Sequence, residues 1–326
     1  MTMKAAWYEK KGPAADVLRI GTLPKPEPVP GEVLVRVRAS GVNPSDTKGR
    51  GGARGNTAMP FPLMVPHQDG AGVIEEVGEG VAESRVGERV WLYEAQLGRA
   101  FGTAAEYIAL PAHQAVPMAE TMSFEEGACL GVPALTAHRC VFADGAVEGK
   151  TVLVTGGAGA VGFYAVQLAK AGCARVIATV SNDAQAETAR RAGADLVLDR
   201  RSDIAAALGE RSVDRIVEVA FGANLPASLR LLRPGGTIAT YASDAEPEPA
   251  IPFWPLVGLD ATIRFVLVYV MSAQAHQEAI AYVTRAAEEG WLRHNVGAVL
   301  PLGRTAEAHA LVETGRGGGK VVVEIG

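Results

Sequence analysis

The sequence predicts an α/β protein that joins an irregular, mostly antiparallel β-domain to a doubly wound parallel sheet. Over roughly the first 120 residues, short strand-forming runs are separated by Gly and Pro clusters, as in segments 33–37, 71–77, 89–93 and 105–110. From residue 123 to about residue 290, strand-like runs alternate with amphipathic helical patterns. This alternation is typical of a parallel sheet that has helices on both faces.

These patterns predict two domains. The strand-like runs 296–300 and 320–325 follow the alternating region, and we expect them to return to the first domain. The first domain is therefore predicted to comprise residues 1–122 and 291–326, and the second domain residues 123–290. A chain of 326 residues with 48% hydrophobic content can form two such cores.

The composition excludes several classes of partner. The formal net charge is −5 with interspersed signs, so the sequence shows no basic surface for nucleic acid or for an anionic membrane. Cys129, Cys140 and Cys173 form no CxxC pair, which argues against a disulfide scaffold and against a structural zinc cluster. The first residues are strand-like and show no apolar signal segment. We therefore expect a soluble cytoplasmic protein that acts on a small molecule.

The most specific motif is a glycine-rich segment between a strand and a helix. The strand-like run 151–155 leads into Gly157-x-Gly159-x-x-Gly162, and the apolar helical pattern 161–171 follows. A second strand-like run, 175–180, comes within the length of one βαβ unit. A glycine motif in this context predicts a dinucleotide-binding site.

Each glycine of the motif has an expected part in that site. Gly157 is expected to make the tight turn, Gly159 to let backbone N–H groups approach a pyrophosphate, and Gly162 to let the helix pack on the strand. The phosphate would lie at the N-terminus of the helix. The predicted phosphate-binding residues are Gly157, Ala158, Gly159, Ala160, Val161 and Gly162.

The residues that follow the second strand favour NADPH over NADH. NAD sites usually carry an Asp or Glu there to bind the ribose 2′-hydroxyl group, whereas this chain has Ser181 and Asn182. Neither residue would repel a 2′-phosphate, and Arg200 is the nearest expected cationic partner. Asp183 keeps NADH open as an alternative, in case the strand ends later than predicted.

Several segments together resemble the medium-chain dehydrogenase/reductase superfamily, and most closely its zinc-free quinone oxidoreductases, which are related to zeta-crystallin. The resemblance is carried by segments 40–47, 67–78, 149–162, 192–195 and 232–236. It implies a GroES-like catalytic domain, a Rossmann domain that binds NADPH, and a homodimer formed through the last Rossmann strand, here residues 263–269.

The same resemblance indicates that the zinc ligands of the alcohol dehydrogenases are replaced. The first ligand, a Cys, falls on Asn43, and the His-Glu pair falls on Gln68 and Asp69, which leaves His67 one residue out of register. The third ligand falls near Val132. We therefore predict no metal site, and we interpret His67 as a hydrogen-bonded scaffold residue in preference to a catalytic one.

Without a metal ion, reduction of a quinone or an α,β-unsaturated carbonyl is the expected reaction, because conjugation already activates such substrates. The candidate catalytic residues are Asn43, Asp46 and Lys48, in a polar segment that the resemblance places beside the nicotinamide. Asn43 is the first choice for binding the substrate oxygen or the nicotinamide ribose. Lys48 is a proton-donor candidate, although relatives often have Tyr at this position. A solvated turn is the alternative interpretation for Lys48 and the preferred one for Arg50.

The resemblance also suggests further cofactor contacts. It places Thr136 near the nicotinamide, Gly222 and Ser243 on loops after later Rossmann strands, Val268 at the carboxamide and Lys320 near the ribose phosphate. Two other functions remain open at this point: a zinc-type alcohol dehydrogenase, and a non-catalytic NADPH-binding protein with a crystallin-like or RNA-binding role. The acidic net charge argues against RNA.

Overall fold

The computed structural model describes residues 1–326, except for the side chain of Arg54. The strands are β1 (Thr2–Trp7), β2 (Arg19–Pro24), β3 (Glu32–Val42), β4 (Asp69–Val77), β5 (Arg89–Leu92), β6 (Tyr107–Pro111), β7 (Ala115–Pro117), β8 (Thr151–Val154), β9 (Arg175–Val180), β10 (Leu196–Asp199), β11 (Val213–Glu218), β12 (Leu232–Thr240), β13 (Thr262–Phe265), β14 (Val296–Pro301) and β15 (Lys320–Glu324).

The helices vary in length from a single turn to about four turns. They are α1 (Ala14–Val17), α2 (Pro44–Gly51), α3 (Phe124–Gly127), α4 (Gly131–Phe142), α5 (Ala160–Ala171), α6 (Asp183–Arg191), α7 (Ile204–Leu208), α8 (Phe221–Leu231), α9 (Phe253–Gly258), α10 (Ala273–Glu288) and α11 (Thr305–Glu313). Among the described helices, none is both long enough and apolar enough to cross a membrane.

The chain divides into two compact units. The first comprises Met1–Val132 with Thr284–Gly326, and the second comprises Pro133–Val283. These boundaries fall within α4 and α10, whereas the sequence analysis placed them at 122/123 and 290/291. The earlier boundary excluded α3 from the first unit, but α3 contacts β3, β4 and β5 of that unit.

The first unit is built on a sheet with the strand order β14-β15-β3-β4-β5-β7, to which β6 adds by pairing with β3. Neighbouring strands are antiparallel apart from β14 and β15, which run parallel. Alternate residues of β3, namely Val33, Val35 and Val37, are buried in the core of this unit. The C-terminal strand β15 pairs with the long N-terminal strand β3, a pairing that the sequence pattern did not specify.

The second unit contains a parallel sheet with the strand order β10-β9-β8-β11-β12-β13. The order runs outward in both directions from β8 and β11, so the carboxyl ends of these two strands form the topological switch point. Leu153 on β8 and Ile216 on β11 are buried in its core. In open sheets of this type, ligands bind next to the switch point.

The last strand of this sheet is shorter than the predicted run 263–269. β13 ends at Phe265, and residues 268–270 form a 3₁₀ turn, because β12 ends at Thr240 and offers no further pairing. Val268 is buried in that turn and not in a strand. β13 forms one edge of the sheet.

Candidate functional site

The glycine-rich segment of the second unit adopts a turn between β8 and α5. The left-handed conformation lies at Gly156, with φ of +65°, and not at Gly157 as expected. Gly157 instead lies against β9, where an added Cβ would be 2.6 Å from Cβ of Ala178. An added Cβ on Gly162 would be 2.1 Å from the carbonyl oxygen of Gly156, which confirms its close packing on the turn. Each of these glycines is therefore required by packing or by conformation.

The turn presents the N-terminus of α5 at the end of β8. Gly159 precedes the helix, and Ala160, Val161 and Gly162 form its first turn. N–H groups of a first helical turn have no partner within the helix, and the helix dipole adds partial positive charge there. The compact glycine turn and this helix end are suited to a pyrophosphate.

The residues after β9 line a cavity of about 490 Å³. Its lining includes Ser181, Asn182, two arginines (Arg190 on α6 and Arg201 after β10) and two carboxylates, Asp183 and Asp199. Asp199 forms a salt bridge with Arg201, and Asp183 is the residue that keeps NADH open as an alternative. Arg201, and not the predicted Arg200, is the arginine after β10 that lines this cavity. Asn182 accepts the backbone N–H of Gln185 through Oδ1, so its amide hydrogens remain for other partners. Such donors suit a phosphorylated ribose.

Glu218 is a residue of the second unit that the sequence analysis missed. It ends β11 at the switch point and is fully buried. Its Oε1 accepts hydrogen bonds from Thr155 Oγ1 (2.9 Å), the Ala220 N–H (2.6 Å) and Asn224 Nδ2 (2.9 Å). Burial raises the pKa of this carboxyl group. A charged residue at the end of a strand-like run was the available signal, and the hydrogen bonds of Glu218 join the ends of β8 and β11.

The other cofactor-binding candidates of this unit are dispersed along it. Thr136 is buried in α4. Gly222 lies in the first turn of α8, and its N–H donates to Ser243 Oγ at 3.0 Å, so the structure brings these two residues together. A side chain at Gly222 would collide with Glu246.

In the first unit, Lys320, which the resemblance placed near the ribose phosphate, is buried between Asn43 and Asp69. Lys320 Nζ donates to Asn43 Oδ1 at 2.6 Å and to Asp69 Oδ2 at 2.7 Å. Asn43 Nδ2 also donates to Asp69 Oδ2 (2.8 Å), and the N–H of Val132 donates to Asp69 Oδ1 (2.8 Å). We call Lys320, Asp69 and Asn43 the Lys320 cluster. Its ion pair is nearly inaccessible to water, since the Lys320 and Asp69 side chains are 3% and 0% exposed.

Strand register and two glycines bring the Lys320 cluster together. Val321 of β15 pairs with Val42 of β3, and Asp69 of β4 pairs with Gly41. An added Cβ on Gly41 would be 2.7 Å from Lys320 Cε, and one on Gly131 would be 2.1 Å from Asp69 Oδ1. Both glycines therefore leave room for the ion pair.

The residues at the predicted zinc-ligand positions do not fit a zinc ion. Zinc prefers thiolate and imidazole ligands, whereas Asn43 supplies an amide, Asp69 a carboxylate that is already paired, and Val132 a backbone N–H donor. The Lys320 ammonium would repel a divalent cation at this place. Among the described side chains, no group of three or more His, Cys, Asp or Glu is placed to hold a metal ion.

The polar segment that follows Asn43 is a helix and not the predicted loop. Asn43 precedes α2, Pro44 is its first residue, and Asp46 Oδ2 accepts the Asn43 N–H at 2.7 Å. These are strong helix-start signals that the sequence analysis did not use. Lys48 is exposed on this helix, so the cation beside Asn43 is Lys320. Arg50, expected in a solvated turn, is only 1% exposed.

Asp46 is a buried carboxyl group next to the Lys320 cluster. Burial and the nearby Asp69 carboxylate raise its pKa to about 7, although the Lys320 ammonium opposes the shift. Its second oxygen, Oδ1, has no hydrogen-bond partner among the described atoms. The Asp46 carboxyl group is therefore protonated more readily than an ordinary aspartate.

Comparison with known proteins gives two family matches and close structural similarity. A model described as an alcohol dehydrogenase GroES-like domain matches residues 29–120, and one described as a zinc-binding dehydrogenase matches residues 192–323. A quinone oxidoreductase of Lama guanicoe is 32% identical over 91% of this chain and 90% of its own length. These matches confirm the GroES-like domain, and the parallel sheet confirms the Rossmann-like one.

Solved structures show the same fold. A mycobacterial protein complexed with NADPH has a TM-score of 0.86 and 27% identity, and the match covers 99% of this chain and all of that one. A thermostable alcohol dehydrogenase of Pyrobaculum aerophilum with cobalt and zinc bound has a TM-score of 0.85 and 28% identity, with complete coverage of both chains.

We predict that Asp46→Asn removes a pH dependence of stability. Because the pKa of Asp46 is higher in the folded state than its ordinary value of 3.8, its contribution is complete below pH 4 and is lost as the pH rises through about 7. Thermal melting from pH 4 to pH 8 should show the stability of the variant rising relative to that of the wild type, by up to about 4 kcal/mol. Asp16→Asn, at an exposed carboxylate of α1, is the control. A constant difference between Asp46→Asn and the wild type across this range would contradict the prediction.

Proposed function

We propose that this chain, which belongs to the quinone oxidoreductase family of the medium-chain dehydrogenase/reductase superfamily, reduces a quinone or an α,β-unsaturated carbonyl with NADPH and without a metal ion. The chain is an oxidoreductase, as its relatives are. The observation that carries the finer proposal is the Lys320 cluster, because a buried ammonium lies among the residues that stand at the zinc-ligand positions.

The Lys320 cluster supplies what a carbonyl substrate needs during reduction. NADPH, when bound, donates a hydride to the substrate, and negative charge develops on the substrate oxygen. Asn43 and Asp69 take two of the three ammonium hydrogens of Lys320, and Asp69 takes one of the two amide hydrogens of Asn43. The remaining hydrogens are donors for that oxygen, and they are fixed in place before the reaction.

Asp69 and Asp46 have supporting parts in this mechanism. Asp69 holds the ammonium and the amide in one orientation through its Oδ2, while the N–H of Val132 holds its Oδ1. Asp46 carries an exchangeable proton near neutral pH, so it can replace a proton that the reduced substrate takes up.

In the second unit, the glycine turn and the N-terminus of α5 would hold the pyrophosphate of NADPH. The cavity after β9 would hold the phosphorylated ribose, with Ser181 and Asn182 as donors and Arg190 as a cation. The proposal for NADPH over NADH rests on these residues, and it is supported by the similarity to a structure that contains NADPH.

We predict that Lys320→Met lowers kcat/KM for a quinone by about two orders of magnitude, because it removes a preorganised donor. The dissociation constant for NADPH should stay within about threefold, a margin under 0.7 kcal/mol. The single variant leaves the buried Asp69 carboxylate without an opposite charge, at a cost of about 3–5 kcal/mol.

The double variant Lys320→Met/Asp69→Asn is the control, since it removes both charges. It should recover stability and remain inactive. Wild-type turnover by the double variant, or stoichiometric zinc in the purified protein with turnover that a chelator abolishes, would overturn the metal-free mechanism. The second result would favour the zinc-type alcohol dehydrogenase.

We predict that Ser181→Asp reduces kcat/KM with NADPH by tenfold or more, which corresponds to at least about 1.4 kcal/mol. A carboxylate at this position would repel the 2′-phosphate and would bind the 2′-hydroxyl of NADH. Turnover with NADH should be unchanged or faster. Ser181→Ala is the matched control. If the wild type itself prefers NADH tenfold, the proposed cofactor is wrong.

We also propose that a second copy of this chain covers the edge strand β13. Phe265, Leu267 and Val270 are exposed by 71%, 55% and 74% at and just after this edge. Exposed backbone groups and apolar side chains together favour strand pairing with a partner.

We predict that Phe265→Glu shifts the protein from dimer to monomer in analytical ultracentrifugation, because it places a charge in the proposed interface. Val299→Glu, at a 48% exposed valine of β14, is the control and should stay dimeric. A wild type that sediments as a monomer at micromolar concentration would contradict this proposal.

A further inference from the structure

Two buried histidines form a pair in the first unit outside the Lys320 cluster. His67 precedes β4 and His309 lies on α11, and both side chains are 0% exposed. Their rings stack with centroids 5.1 Å apart and an interplanar angle of 29°. The two Nε2 atoms are 2.9 Å apart, so one of them must carry a hydrogen and the other must not.

The hydroxyl groups of Thr103 and Ser40, next to Asp69, determine which nitrogen of His67 carries the hydrogen. Thr103 Oγ1 donates to the backbone carbonyl of Asp69 at 2.6 Å, and this bond uses its single hydrogen. Ser40 Oγ, 2.7 Å from Thr103 Oγ1, must therefore be the donor in that contact. The hydroxyl of Ser40 can then only accept from His67 Nδ1, which is also 2.7 Å away.

The contacts between His67, His309 and Arg50 require the same hydrogen positions. His67 with a hydrogen on Nδ1 has a bare Nε2, which accepts from Nε2 of His309. His309 then has a bare Nδ1, which accepts from Nε of Arg50 at 3.3 Å. A guanidinium has only hydrogen-bond donors, so Arg50 must be the donor in its contact with His309 Nδ1. Arg50 also forms a salt bridge with Glu313, which is 40% exposed.

All the hydrogen bonds from Arg50 to Thr103 can form together only when both histidines are neutral. A second hydrogen on either ring would place two donors against each other. Burial lowers the pKa of His67, with contributions from His309 and Lys320, and burial together with Arg50 lowers that of His309 to about 3. The charged or titratable groups around the pair are Lys320 on β15, Arg50 on α2, Glu313 on α11 and Tyr8 after β1, which faces Arg50.

This series of hydrogen bonds ends at Asp69, the residue that holds Lys320 and Asn43 in the proposed site. Asp69 is held at its backbone carbonyl by Thr103, and its carboxylate holds Lys320 and Asn43. His67 itself has a left-handed backbone with φ of +85°, an uncommon conformation for a residue other than glycine. Its side-chain bonds therefore connect an unusual backbone position to both β3 and α11.

We propose that Arg50, His309, His67, Ser40 and Thr103 form a one-directional hydrogen-bond relay that positions Asp69, and through Asp69 the Lys320 cluster, for hydride acceptance by the substrate. The relay residues are positioning residues, because they act through Asp69. Their effect on turnover rests on the proposed function, whereas the hydrogen positions do not. The relay connects α2 and the buried face of α11 with the start of β4.

The hydrogen positions can be tested without any substrate. In protein labelled with ¹⁵N-histidine, NMR at pH 7 should show His67 protonated at Nδ1 and His309 at Nε2, with both rings neutral. Single His→Gln variants assign the signals. Both rings should stay neutral at pH 5. The opposite tautomer on either ring, or an imidazolium at pH 7, would overturn the relay and leave the proposed function standing.

The positioning role needs a variant that keeps the volume of the Thr103 side chain and loses its hydroxyl group, which donates to Asp69 and accepts from Ser40. Thr103→Val removes the hydroxyl that binds Asp69, and Thr103→Ser retains it. We expect Thr103→Val to lower kcat for a quinone by about tenfold, roughly 1.4 kcal/mol of barrier, with an unchanged dissociation constant for NADPH. Thr103→Ser should remain within about threefold of the wild type. Equal kcat for Thr103→Val and the wild type would overturn the positioning role.

The histidine itself gives a second comparison if Thr103→Val does not fold. His309→Gln retains one donor and one acceptor, whereas His309→Leu retains neither. His309→Leu should lower kcat and His309→Gln should restore most of it. His138→Leu, at an aromatic contact with Phe142 and Tyr282 in the second unit, is the control and should leave kcat unchanged. Equal kcat for the two His309 variants would count against the relay.

Discussion

The buried ion pair between Lys320 and Asp69 is the interaction on which the first unit depends. It joins the first residue of β15 to the first residue of β4 across β3, and these residues are 251 positions apart in the sequence. Neither charge tolerates burial alone, so each requires the other and the amide of Asn43. A side chain at Gly131 would collide with Asp69, and one at Gly41 would collide with the backbone carbonyl of Ala128 and with Lys320.

The two units use different physical means to prepare for a ligand. The first unit fixes donors around a buried ammonium and satisfies most of their other bonds inside the protein. The second unit relies on backbone geometry, since a left-handed Gly156 and the start of α5 form a helix end of the kind that suits an anion, without a charged side chain. Glu218 adds rigidity at the switch point by joining the ends of β8 and β11.

The features that could be predicted from the sequence are those with local signals. The strand 175–180 was predicted to the residue, and the helix after the glycine motif to within one residue, because each is bounded by neighbours in the chain. Helix α2 was missed although Asn43 and Pro44 marked its start. The partnership of Lys320 with Asn43 was not predictable, because it depends on the register of β15 against β3. The burial of Arg50 likewise depends on α11, which is distant in sequence.

The Lys320 cluster also limits how such a site can change its chemistry by single substitutions. A thiolate placed at Asn43 would lie beside an ammonium and could not attract a zinc ion while Lys320 remains. Loss of Lys320 alone would leave the Asp69 carboxylate buried without an opposite charge, because neither the ammonium nor a zinc ion would be beside it. Neither single substitution therefore exchanges the buried ammonium for a metal ion without leaving an unbalanced charge inside the protein.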